Sequence, residues 1–192
     1  MRKLNAFLFL SVNGFFKAAN EDISWHRHGG EENEFSIESL KSNNILLFGR
    51  VTYEMMVNYW SSPMAKENDP VVAKGINSAD KIVFSKTLKK ADWNNTKIIS
   101  DAEEIKNLKQ TPGKNMTILG SGTIITQFAN QNLIDEYQFM IDPVALGNGT
   151  PIFQSIKNKL DLNLTNSRTF KSGVVLLSYE PVKNRNEFIT NN

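Results

Sequence analysis

The 192-residue sequence contains no cysteine and only two histidines. The first absence excludes disulfides, thiolate catalysis, structural zinc fingers and iron–sulfur clusters, and it leads us to expect a cytoplasmic protein. Nor is there an apolar run near the roughly 20 residues needed to span a bilayer. Residues 3–12 are apolar behind Arg2, but Asn5 and Ser11 interrupt them and no small-residue cleavage site follows, so they read as a buried strand rather than a secretion signal. Long basic blocks are also missing: 22 Lys and Arg face 20 Asp and Glu, a formal charge of +2. Neither nucleic acid nor a membrane is an expected partner. The sequence lacks GxGxxG and a Walker loop, and it shows no internal repeat.

What is present is ordinary for a folded chain, with 40% hydrophobic and 22% charged residues. We expect one domain over residues 1–182 and a disordered polar tail over 183–192. Strand-length runs rich in β-branched or aromatic residues occur at 4–12, 45–48, 81–84, 116–119, 136–141 and 174–179. Helical spacing lies between them: Phe35, Ser39 and Leu40; Tyr53, Met56, Val57 and Trp60; Val72, Ile76 and Ala79; Ile105 and Leu108; Ile124, Ile125, Phe128 and Ala129. Alternation of this kind predicts an α/β fold, a largely parallel sheet covered on both faces. The chain should end antiparallel, in a hairpin of 162–170 with 174–179 through Lys171-Ser172-Gly173. Asp101 and Glu104 have the form of a capping box, and Met55 and Met56 read as core.

Three strand ends suit a dinucleotide, because ligands of open α/β sheets collect beyond the carboxyl ends of strands, where helix N-termini attract phosphate. At the first, Gly49 permits close backbone approach, Arg50 offers a charged fork, and Thr52 caps the next helix or bonds a phosphate. The second is Gly120-Ser121-Gly122 before a helix from Thr123, a turn that exposes successive N–H groups. Ser85-Lys86-Thr87 is the third, with two hydroxyls and an ammonium for a ribose and its 2′-phosphate. Each also reads as an ordinary turn or exposed loop. Their joint occurrence at strand ends raises the cofactor reading above that.

Six motifs in order carry a family resemblance: Phe9-Leu10-Ser11-Val12-Asn13-Gly14-Phe15, Leu47-Phe48-Gly49-Arg50-Val51-Thr52-Tyr53-Glu54, Ile82-Val83-Phe84-Ser85-Lys86-Thr87-Leu88, Ile118-Leu119-Gly120-Ser121-Gly122, Leu133-Ile134-Asp135-Glu136, and Pro143-Val144-Ala145-Leu146-Gly147-Asn148-Gly149-Thr150-Pro151-Ile152-Phe153. Over about residues 2–180 the sequence resembles the dihydrofolate-reductase-like superfamily, in the branch of the reductase domain of bacterial riboflavin biosynthesis. The resemblance implies three layers, a twisted, mostly parallel sheet flanked by helices with an antiparallel final strand. It also implies NADPH as hydride donor to a small heterocyclic or ribosylamino substrate, as in dihydrofolate reductase or 5-amino-6-(5-phosphoribosylamino)uracil reductase. The implied cofactor residues are Gly49, Arg50, Thr52, Ser85, Lys86, Thr87, Gly120, Ser121, Gly122 and Thr123. The substrate would meet the loop 13–30, which contains Asn13 and Trp25, and relatives in this branch imply a homodimer.

Dihydrofolate reductases carry one carboxylate on the first helix, and counting back from Gly49 places Asn33 near it, flanked by Glu32 and Glu34. Neighbours on a helix lie about 100° apart, so the sequence leaves the acid open between those two, and an acidic first turn serving only the helix dipole is the plainer account. His26 and His28 are expected in an exposed loop, with proton donation as the alternative. Together with Glu31 or Glu32 they offer metal-ligand types, but the intervening glycines and arginine argue against a preformed site, and no metal is expected. Trp60 and Trp93 read as packing residues at helix and loop edges. The related deaminase chemistry needs Cys and His zinc ligands, which excludes it here. A non-catalytic protein binding a nucleotide or small ligand on the same scaffold is the alternative function.

Overall fold

The most apolar runs, at 45–48 and 81–84, form strands buried on both faces, and other strands line up beside them in one sheet. In the computed structural model, which describes residues 1–27 and 29–182, eight strands build one sheet in the order β5-β4-β3-β6-β1-β7-β10-β9. These are β1 (Leu4–Ser11), β3 (Ile45–Gly49), β4 (Lys81–Phe84), β5 (Thr96–Ile99), β6 (Met116–Leu119), β7 (Glu136–Asp142), β9 (Leu162–Thr169) and β10 (Val175–Pro181), with β2 (Phe15–Ala18) and β8 (Gly149–Pro151) pairing apart from it. From β5 to β7 all neighbours are parallel, and β10 runs antiparallel to both β7 and β9. The helices are α1 (Gly30–Leu40), α2 (Arg50–Trp60), α3 (Pro63–Asn68), α4 (Pro70–Ser78), α5 (Ala102–Gln110) and α6 (Gly122–Ala129). Among the described residues, no helix is long and apolar enough to cross a membrane.

Alternation along β1 assigns the two faces. Leu4, Ala6, Leu8 and Leu10 are buried in a cluster with Ile105 of α5 and Ile125 and Phe128 of α6. Phe7 and Phe9 point the other way, toward Phe35 of α1, and further along that face Leu46, Phe48 and Val83 pack on Tyr53, Val72 and Ile76 of α2 and α4. The result is three layers, helix, sheet, helix.

Several local expectations need correction. The second helix begins at Arg50, so Gly49 is its N-cap and Thr52 lies inside the first turn without capping it. Met55 is 41% exposed, whereas Met56 packs against the core. Trp93 is buried rather than at an edge, its indole N–H donating to Asn77 Oδ1 at 2.7 Å. Asp101 does cap α5, accepting from the Glu103 N–H at 3.0 Å, but the Glu104 carboxylate is turned to Lys97 Nζ at 3.6 Å. The elements the sequence hides are short and polar: β5 spends half of its four residues on Thr96 and Lys97, and α3 is a six-residue helix started by Ser62, whose Oγ accepts from the Ala65 N–H, and by Pro63. His28 and the expected tail at 183–192 lie outside the described residues.

Candidate active site

A parallel sheet with helices on both faces leaves its carboxyl edge as the natural binding end. Three of the sequence-predicted turns meet there on adjacent strands, since β4, β3 and β6 are neighbours. The turns after β3 and β6 interlock. Ser121 Oγ accepts from the Gly49 N–H at 2.8 Å, and a side chain at Gly49 would come within 3.0 Å of Ile124. Gly120 and Ser121 are both left-handed (φ +62° and +57°), which turns the chain sharply into α6. A Cβ at Gly120 would approach Thr52 to 3.3 Å, and one at Gly122 would lie 2.6 Å from the Phe16 ring. The N-termini of α2 and α6 thus stand side by side, each with first-turn N–H groups that have no acceptor within their own helix.

The flanking residues differ in what they offer. Arg50 is half exposed and pairs loosely with Glu54 at 3.7 Å, and Thr123 is exposed on the wall of a depression of about 420 Å³ that also includes Phe16 and Thr126. Ser85 is buried and its Oγ accepts from the N–H groups of Thr87 and Leu88 at 3.2 and 3.0 Å, so that hydroxyl shapes its own turn. Lys86 and Thr87 are exposed, and Lys86 lines a depression of about 490 Å³ beside Asp101, Glu103 and Gln127. The three turns therefore supply glycine-bounded backbone in the middle and one lysine at the β4 end.

On the other side of β6, the loop after β1 is structured. β2 pairs antiparallel with β8, and Asn13 ties the same two loops: its Nδ2 donates to Leu146 O at 2.8 Å and its Oδ1 accepts from Leu146 N–H at 3.1 Å. Both ends of the Asn13 amide are thus engaged within the chain. Trp25 is half-buried, its indole N–H donating to Asp22 O at 3.1 Å.

His26 is not exposed, contrary to the loop expectation: it is 7% accessible, with its ring centroid 3.8 Å from that of Phe9 and 5.1 Å from that of Trp25. Its Nδ1 lies 3.9 Å from Oδ2 of Asp142, a carboxylate only 1% exposed at the carboxyl end of β7. The other Asp142 oxygen accepts from the Arg27 N–H at 2.7 Å. Asp142 was invisible to sequence reasoning because it directly precedes the Pro143 motif and reads as a turn residue after a strand. The available signal was a carboxylate closing an apolar strand run.

The acidic start of α1 turns toward the tip of the β9–β10 hairpin. Glu32 is buried and accepts from Ser172 Oγ; Glu31 accepts from the Lys171 N–H at 3.0 Å, which holds its carboxyl below the ordinary range, and Lys171 Nζ stands 3.4 Å away. Arg27 Nη1 donates to Ser172 O. Glu34 is exposed. Of the two carboxylates left open by helix phase, Glu32 faces inward and Glu34 faces solvent. Among the described residues no group of three or more His, Cys, Asp or Glu side chains is placed to hold a metal.

Comparison with known proteins agrees with this layout. The chain is 32% identical over 184 residues to the uncharacterized protein YyaP of Bacillus subtilis (strain 168), covering 93% of this chain and 94% of that one. It is 26% identical over 178 residues to the uncharacterized protein YwjB of the same organism. A putative riboflavin biosynthesis protein from Shewanella sp. PV-4 superposes with a TM-score of 0.71 at 19% identity, over 94% of this chain and 99% of the other. A diaminohydroxyphosphoribosylaminopyrimidine deaminase/5-amino-6-(5-phosphoribosylamino)uracil reductase from Thermotoga maritima gives 0.67 at 15% identity, with 94% of this chain matched to 57% of that longer one. At such identities the structures show a shared fold. The RibD C-terminal domain family matches residues 2–176, nearly the whole chain, and with the three-layer sheet and its paired turns the protein belongs to that family and has its reductase-like scaffold.

Proposed function

We propose that the protein is an NADPH-dependent reductase acting on a small heterocyclic or ribosylamino substrate. The observation that carries this is the pair of interlocked turns: two helix N-termini held side by side by the Ser121–Gly49 hydrogen bond, at glycines where a side chain would collide with Phe16 or crowd Ile124 and Thr52. Such a cradle fits a pyrophosphate, which needs close backbone approach and N–H donors more than side chains. Lys86 at the neighbouring strand end would hold the 2′-phosphate, with Arg50 beside the cradle. The bound nicotinamide would supply a hydride. The chain's own contribution is orientation by the turns and exclusion of water by the loop over residues 13–27. We extend the reading to a homodimer paired along β9, an edge strand exposed over most of its length.

An NADPH titration, followed by cofactor fluorescence and thermal stabilisation with NADH as control, tests this directly. Tight NADPH binding is expected, weakened about tenfold by Lys86→Ala with its preference over NADH lost. Absence of binding at millimolar NADPH would overturn the reductase reading. NADPH binding without turnover of dihydrofolate or 5-amino-6-(5-phosphoribosylamino)uracil would favour a ligand-binding protein instead.

A further inference from the structure

We infer that His26, oriented by Asp142, is the proton donor of the reduction, a role that rests on the reductase reading above. Reducing a C=N or C=O bond requires a proton as well as a hydride, from a group that is buried, titratable and near the reacting end of the cofactor. The carboxylates at the start of α1 meet this poorly. Glu34 faces solvent, and Glu31 and Glu32 are taken up by the hairpin tip through the Lys171 N–H and Ser172 Oγ.

His26 is buried and titratable, and it stands at the binding end of the sheet. It is buried against Phe9 of β1, and two residues earlier on the same strand Phe7 O accepts from the Gly120 N–H at 2.9 Å, the first glycine of the cradle. A two-residue step along a strand is about 7 Å. Phe9 stands about that far along β1 from the cradle, so the imidazole against it lies at the carboxyl edge of the sheet, beside the strand next to the β6 turn. Asp142 sits one strand further along, in register with Ser11.

The charged group against the imidazole is Asp142 on β7; Arg27, next in the same loop, joins Asp142 through its N–H and the hairpin tip through Ser172 O, where Glu31, Glu32 and Lys171 also gather. Asp142 has its carboxylate 3.9 Å from the ring, at Nδ1. A buried carboxylate at that distance favours the imidazolium through its charge. Nε2, on the far side of the ring, is then the acid. In the balanced step the substrate carbon gains the hydride and its nitrogen or oxygen gains the Nε2 proton. The cofactor leaves oxidised, and the neutral imidazole takes its proton back from water. His26 is the catalytic residue in this scheme and Asp142 the positioning residue.

The test combines two readouts on the full chain. Imidazole titration by NMR, assigned through His26→Gln, should respond to Asp142→Asn, with the His26 midpoint moving to lower pH when the neighbouring charge is removed. With NADPH and 5-amino-6-(5-phosphoribosylamino)uracil or dihydrofolate, His26→Gln should keep cofactor affinity within about twofold and lose about 10²–10⁴ in kcat. Asp142→Asn should lose less and move the basic limb of the pH–rate profile downward. The assignment is overturned if His26→Gln turns over at the wild-type rate, if Glu32→Gln is the variant that loses turnover while His26→Gln keeps pace, or if the imidazole titration is indifferent to Asp142→Asn. The NMR arm needs no substrate. Failure to bind NADPH, by contrast, removes the reductase reading itself.

Discussion

Two charged side chains are buried at opposite edges of the same sheet, and they are held in opposite ways. Lys81, 2% exposed, starts β4 at the amino edge, where its ammonium donates to the carbonyls of Asn77, Ala79 and Asn94 at 3.0, 2.8 and 3.1 Å and lies 4.6 Å from the Trp93 ring centre. Asp142, 1% exposed, ends β7 at the carboxyl edge and is held by the Arg27 N–H and by His26, both from the loop after β1. The lysine has all three donors closed by backbone, so it can join a helix end, a strand and a turn but meets no ligand. The aspartate is closed by a loop and a titratable ring at the edge where parallel sheets bind ligands. Burial of a charge is thus structural in one place and, by our inference, chemical in the other.

The comparison is broken most severely at the lysine. Lys81→Met should destabilise the fold by about 3 kcal/mol, because three carbonyls lose their donor, and should leave NADPH affinity unchanged; urea unfolding with a cofactor titration reads both. Burial also pushes the Lys81 pKa down to about 8 from 10.5. The unfolded chain therefore holds the extra proton between those values, and the stability contribution of this group rises with pH through that window and is lost as pH falls through about 8. Lys81→Met should flatten that part of the curve.

Asp142→Asn should act in the reverse sense, costing only about 1 kcal/mol since an amide oxygen still accepts from Arg27 N–H without the charge, while affecting turnover. Equal stability losses at the two sites would dissolve the distinction. The smallest expected effect is at the hairpin tip, where Glu31 is depressed by the Lys171 N–H. That contribution is present above its ordinary value of 4.5 and disappears as pH falls through the lowered folded value. The thermal midpoints of wild type and Glu31→Gln should therefore differ near neutrality and converge in acid.

Much of the architecture was legible because it rests on runs whose burial is dictated by composition. Ile45, Leu46, Leu47 and Phe48 have no polar face and must be covered on both sides, and the same holds for Ile82, Val83 and Phe84. The glycine turns were legible for a similar local reason, as Gly120-Ser121-Gly122 at a strand end has few conformations other than a sharp entry into a helix. Features built from distant pairs were not: β2 with β8 is a ladder of three and four residues, and β5 is recognisable only by its place beside β4.

By itself, then, the amino-acid sequence determined the alternation of strands and helices, the antiparallel close, and the three turns facing one edge, since hydrophobic period and glycine position are local properties. Tertiary structure alone decided which polar residues matter. Helix phase could not choose between Glu32 and Glu34, but the hairpin tip, about 140 residues away along the chain, takes Glu32 through Ser172. His26 resembles any loop histidine until β7 brings Asp142 against it from 116 positions further on, because a side chain's environment is set by what the topology places beside it rather than by its neighbours in sequence.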